Sequence, residues 1–102
     1  MAAVEPVEPV RFDDVDAGVF VPVGVLLRRM RDLKGWKQRD LAQHSGFSLS
    51  FVAGLEGGSR SVRRVPIIMR LADVLSVPRE QLFAWVVAEI EHHEKVLRGD
   101  GK

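Results

Sequence analysis

The sequence predicts an all-α fold: a compact bundle of five helices, preceded by an extended N-terminal arm and closed by a long C-terminal helix. Three observations point there. Apolar residues recur at three- and four-residue spacing from residue 22 to residue 97, glycines and prolines punctuate that pattern at intervals suited to short helices, and no stretch alternates apolar and polar residues as a half-buried strand does. The 102 residues suffice for one small core with tails, so no second independent domain is expected.

The elements follow in order. "VEPVEP" places two prolines in a tandem triplet, and proline removes a backbone donor and drives its neighbour into extended conformations. Residues 1–21 therefore read as an acidic arm, with Phe12, Val15, Val19 and Phe20 as apolar contacts and Gly18 against a long helix. From Pro22 the period changes. Val23, Leu26, Leu27, Met30 and Leu33 predict a first helix over 22–34, stopped by Gly35. A second spans 37–44, burying Leu41 and Ala42 and ending near Gly46. Ser48 is placed to cap a third over 48–56, whose Phe51, Val52 and Leu55 are apolar before Gly57 and Gly58 end it. "SRSVRRV" is a basic loop. Pro66 opens a fourth helix, 66–75, with Ile67, Ile68, Leu71, Val74 and Leu75 inward, and a fifth runs 79–97 with Leu82, Val86, Ile90, His93 and Leu97 along one face. Phe83, Trp85 and Val87 add more apolar surface than a free monomer helix needs.

Composition excludes several classes. Hydrophobic content of 46% with no apolar run near the ~20 residues of a bilayer span argues against a membrane protein. Cysteine is absent, which removes disulfides, thiolate metal clusters and cysteine nucleophiles. The acidic, proline-bearing start is unlike a secretory signal, and a cytoplasmic location is the expectation. The net charge of +1 conceals a segregation. Residues 1–20 set Arg11 against Glu5, Glu8, Asp13, Asp14 and Asp16, residues 21–79 set eleven Lys and Arg against four carboxylates, and residues 80–102 are acidic again. A basic middle between acidic ends suits a polyanion-binding core; a solvated surface with random charge blocks is the plainer alternative.

The stretch "LRRMRDLKGWKQRDLAQHSGFSLSFVAGLEGGSR" followed by "IIMRLADVLSVPREQL" resembles the Xre/Cro, lambda-repressor-like helix-turn-helix family. The resemblance covers residues 24–83 and rests on linked features: the "GWKQRDLA" entry to the second helix, the "SGFS" turn, the "LEGG" exit of the third and "LADVLSVP" in the fourth. It implies a helix-turn-helix domain over residues 22–83; the fifth helix is longer than the short one that closes many members of that family, and residues 84–102 read as a C-terminal helix extension and tail and as a dimerisation element. It implies double-stranded DNA as partner, a repressor acting as a homodimer, and a third helix that enters the major groove while the second crosses the phosphate backbone.

Site residues follow from the same resemblance. Arg31 and Glu56 match an architectural ion pair that would lock two helices at a fixed angle. Gln38 matches a glutamine whose amide bonds a phosphate. Lys37 stands where Ser, Thr or Asn would cap better, and can reach a phosphate instead. Ser48, Leu49, Ser50 and Gly54 occupy the reading positions, with Phe51 at their margin. These are thin in the Gln, Arg, Asn and Lys side chains that make bidentate base contacts, so Leu49 is left a thymine methyl, Ser50 one base edge or phosphate, and Gly54 a close backbone approach. Arg60, Arg63 and Arg64 match a phosphate-contacting loop, and the expected source of specificity shifts from Leu49, Ser50 and Gly54 toward Gln38, this loop and DNA shape.

Phe83, Trp85, Val86 and Ile90 either complete the core or form a two-fold dimer seam. Glu89, Glu91 and Glu94 read as the solvated face of the last helix, and His44, His92 and His93 lack metal-ligand spacing. No cofactor, metal, small-molecule ligand or catalytic constellation is expected. A reading from a different class takes the third helix and the Trp85 surface as a protein-binding face, with weak or no DNA binding.

Overall fold

The computed structural model describes residues 20–98, and the expected arm over residues 1–21 lies outside it up to residue 19. Five helices follow one another: α1 (Val23–Leu33), α2 (Gln38–Ser45), α3 (Leu49–Gly57), α4 (Val65–Leu75) and α5 (Arg79–Arg98). Each boundary has a local cause. Gly35, Gly46 and Gly58 adopt left-handed φ of 75°, 81° and 92°, where a side chain is strained, and end α1, α2 and α3. Ser48 Oγ accepts the Phe51 N–H at 3.1 Å and caps α3. Lys37 offers no cap of its own; the Asp40 carboxylate instead reaches back to the Lys37 N–H at 2.7 Å, half of a capping box supplied from inside the helix. Ser76, at φ 61°, closes α4 in the left-handed region without being glycine.

One core joins all five helices. Leu26, Leu27, Leu41, Val52, Ile68, Leu71 and Leu82 are fully covered, and Val62 plugs the core from the loop between α3 and α4. α1 packs on α3, α3 on α2, α2 on α4 and α4 on α5, while α5 returns to α1. The α1–α3 crossing depends on Gly24, since a Cβ there would collide with the carbonyl oxygens of Leu55 and Glu56. Leu33, the final residue of α1, departs from its expected inward place and is exposed.

The main correction concerns α5. Trp85 and Val86 are 2% and 3% exposed and belong to the core of their own chain, so they present no seam to a partner. Part of the surplus apolar surface of α5 closes this bundle. Phe83 and Ile90 are half-buried against the same core, and of the extra residues only Val87 is well exposed. α5 runs unbroken through the boundary expected at residues 83 and 84. Among the described residues, no helix is long and apolar enough to cross a membrane.

Candidate nucleic-acid interface

The α2–turn–α3 unit is held from both ends. At the turn, the buried Ser45 Oγ donates to the Ala42 carbonyl at 3.3 Å and accepts the Phe47 N–H at 3.2 Å. Arg70 of α4 donates through Nη1 to the Ser45 carbonyl at 3.0 Å, capping the end of α2. Phe47 and Phe51 meet edge to face with centroids 5.1 Å apart, so the turn and the first turn of α3 share an aromatic clasp. On sequence alone neither Ser45 nor Arg70 has a role of its own, since the bond that joins them connects positions 25 residues apart.

At the other end, Arg31 and Glu56 meet as the resemblance implies. Arg31 Nε donates to Glu56 Oε2 at 2.6 Å and Nη2 to Oε1 at 2.9 Å, while Nη1 donates to the Trp36 carbonyl at 2.6 Å. Both side chains are under a tenth exposed. Hydrogen bonding to Glu56 raises the Arg31 pKa further above its ordinary value, against the opposing effect of burial, so the guanidinium stays charged. Gln38 joins this node, its Nε2 donating to Glu56 Oε1 at 3.0 Å. The expected phosphate-bonding amide is thus tied to the ion pair, and the start of α2 is fixed against the end of α3.

The outward face of α3 carries Ser48, Leu49 and Ser50, all exposed, with Phe51 half-buried beside them. Gly54 corrects an expectation. The stem of Arg60 lies over it, so that a Cβ there would come within 2.8 Å of Arg60 Cγ, and its carbonyl accepts the Gly58 and Arg60 N–H groups at 2.9 and 3.1 Å. Gly54 gives its room to Arg60. The Arg60 guanidinium stands 5.6 Å from the Phe51 ring centroid, a cation–π contact that extends the positive charge of the loop onto α3.

Between α3 and α4 lies an open groove of about 680 Å³, lined by Phe51, Ser59, Arg60, Ser61, Arg63, Arg64 and Ile67. The three loop arginines therefore gather on the edge of α3. Arg60 and Arg64 are exposed. Arg63 is engaged: its Nη1 donates to Glu89 Oε2 at 3.2 Å. Glu89 is only 8% exposed, which overturns its reading as part of a solvated face; Glu91 and Glu94 are exposed. Elsewhere His44 stacks on Trp36 at 4.3 Å with the Lys34 ammonium 5.0 Å from the same ring, and His92 stacks on Phe20 at 3.9 Å.

Two short helices joined by a glycine turn, the second presenting an open face flanked by arginines, define a helix-turn-helix unit. The chain belongs to the helix-turn-helix domain family, whose model matches residues 22–85. It is 36% identical over 63 residues to the HTH-type transcriptional regulator RghRB of Bacillus subtilis (strain 168), itself uncharacterized. That match takes in 62% of this chain and 45% of RghRB, so the chain spans less than half the length of this relative. Among solved structures it is similar to the restriction-modification controller protein C.AhdI from Aeromonas hydrophila, with a TM-score of 0.54 and 40% identity over 59% of this chain and 89% of that one. A point variant of the controller protein C.Esp1396I gives a TM-score of 0.55 and 28% identity over 70% and 89% of the two chains.

Proposed function

We propose that this chain is a double-stranded DNA-binding transcription regulator that acts as a homodimeric repressor on a two-fold operator. The observation that carries the reading is the joint placement of an exposed α3 face and the Arg60, Arg63 and Arg64 groove on one side of a rigid helix pair. In it, α3 enters the major groove, Leu49 and Ser50 face the base edges, and Arg60 and Arg64 neutralise phosphates with release of counterions. The Arg31–Glu56–Gln38 node sets the angle at which α3 is presented. Likeness to proteins named as transcriptional regulators and as restriction-modification controllers supports the regulatory role.

The dimer moves to different residues from those first expected. With Trp85 and Val86 in the core, the apolar residues of α5 open to a second copy along one face are Val87 and Leu97, with Phe83 and Ile90 beside them at helical spacing. Two half-sites about one helical turn apart would then be bound together. A band-shift titration at several salt concentrations tests the proposal. Steeply salt-dependent binding, weakened in an Arg60→Ala/Arg64→Ala variant, is expected; no binding at low salt contradicts it. The protein-interaction reading rests on one specific feature, Leu49 at 51% exposure at the start of an α3 face poor in hydrogen-bonding side chains. Absence of DNA binding would transfer the function to that face.

A further inference from the structure

Glu89 is a buried charge that the DNA reading leaves without a task. Its position has a cause of its own. Pro22 leaves the start of α1 without a side-chain cap, and Glu89 supplies one from α5, accepting the Val23 N–H at 2.8 Å. A carboxylate beside a helix N-terminus is favoured by the exposed N–H groups and the helix dipole. The second contact is with Arg63, whose side chain is 34% exposed against 10% for Glu89. Arg63 also lines the groove beside α3. It therefore stands between a fixed internal anion and whatever anion enters that groove.

We propose that Glu89 is a specificity-determining residue of the interface: it competes with DNA phosphate for Arg63 and withholds that arginine from loosely bound, non-target duplex. This rests on the DNA reading above. A phosphate on a loosely seated duplex acts across water and salt, which weaken its pull, whereas Glu89 attracts Arg63 from a largely buried position. Only a duplex on which α3 is seated closely brings a phosphate into the groove near enough to win the guanidinium. Arg63 then contributes to target complexes and little to random ones. Among the described residues no carboxylate pairs with the two neighbouring arginines, Arg60 and Arg64, and they serve both kinds of complex.

Fluorescence anisotropy of the full chain with a random-sequence duplex, across a salt series, tests this. Arg63→Ala is expected to leave affinity and salt slope within about twofold of the parent, while Arg64→Ala weakens binding severalfold and lowers the slope by about 0.9, the loss of one phosphate contact. Glu89→Gln keeps a carbonyl acceptor for Val23 and is expected to tighten random-duplex binding severalfold, with the slope steeper by about the same amount. That gain should vanish in Glu89→Gln/Arg63→Ala. Glu91→Gln, which neutralises an exposed carboxylate on the same helix, controls for the bulk charge change. An equal gain with Glu91→Gln, or its persistence without Arg63, overturns the proposal, and so does an Arg63→Ala loss matching that of Arg64→Ala. Should Glu89→Gln fail to fold, the comparison of Arg63→Ala with Arg64→Ala decides alone. No binding by parent or variants overturns the DNA reading itself and the proposal with it, a result distinct from binding that Glu89 does not influence.

Discussion

Two buried carboxylates organise this molecule, and they do opposite things with their arginines. Glu56, at the end of α3, takes two hydrogen bonds from Arg31 and one from Gln38; its Arg31 partner is almost wholly shielded and Gln38 is half-buried. Glu89, on α5, holds a backbone N–H of α1 and one edge of an arginine that borders solvent. Closure makes the first pair architectural, since an arginine so enclosed is not free to meet a ligand. Openness makes the second pair exchangeable. The lesson is that the exposure of the cation, more than that of the anion, separates a strut from a contact held in reserve.

The largest expected effect breaks the strut. Glu56→Ala leaves the Arg31 guanidinium buried without its carboxylate and should cost about 3–5 kcal/mol in stability, read as a lowered denaturation midpoint. A loss under 1 kcal/mol would place that node among ordinary surface pairs. Next comes Gly24→Ala, which strikes the α1–α3 crossing that carries the Glu56 backbone; overpacking of roughly 1–3 kcal/mol is expected, with the melting temperature as readout. Glu89→Ala removes a helix cap supplied from a distance, for which about 0.5–2 kcal/mol is expected, clearly below Glu56→Ala. Reversal of that order would undo the comparison.

The smallest effect comes from a third carboxylate, on the surface. Asp73 accepts from Arg79 Nε at 2.9 Å and from Nη2 at 2.6 Å, and this hydrogen bonding holds its pKa below the usual aspartate value. A pKa depressed in the folded state contributes stability above the unfolded value, and that contribution is lost as pH falls through the folded one. Asp73→Asn should therefore lower the melting temperature slightly at neutral pH and match the parent once both states are protonated. A gap that persists in acid would assign the effect to something other than this ion pair.

Much of the fold was legible because its punctuation is strictly local. Gly35, Gly46 and Gly58 sit where left-handed backbone is needed, Ser48 caps the helix it precedes, and every helix end falls within a residue or so of the position read from spacing. Arg31 and Glu56 were legible only through resemblance, since 25 residues separate them. Glu89 was not legible: beside Glu91 and Glu94 it looks like one more solvated charge, and its partners lie 66 and 26 residues away. Trp85 misled for a related reason. An apolar excess on one helix does not say whether its complement is in the same chain or another, and here Trp85 and Val86 are covered by their own bundle. Gly54 was read as an opening to DNA because the conformation of the following loop, which lays Arg60 across it, leaves no mark in the sequence.

In the proposed complex, α3 and the loop after it form one DNA-facing surface braced from behind. Backbone amide NMR of the full chain, titrated with duplex DNA selected by the protein from a random pool, tests it most directly. The largest shifts are expected at Ser48–Phe51 and Ser59–Arg64, lesser ones at the start of α2, and little change in the core-facing half of α5. Shifts centred on α5, or none at all with selected duplex, would contradict it.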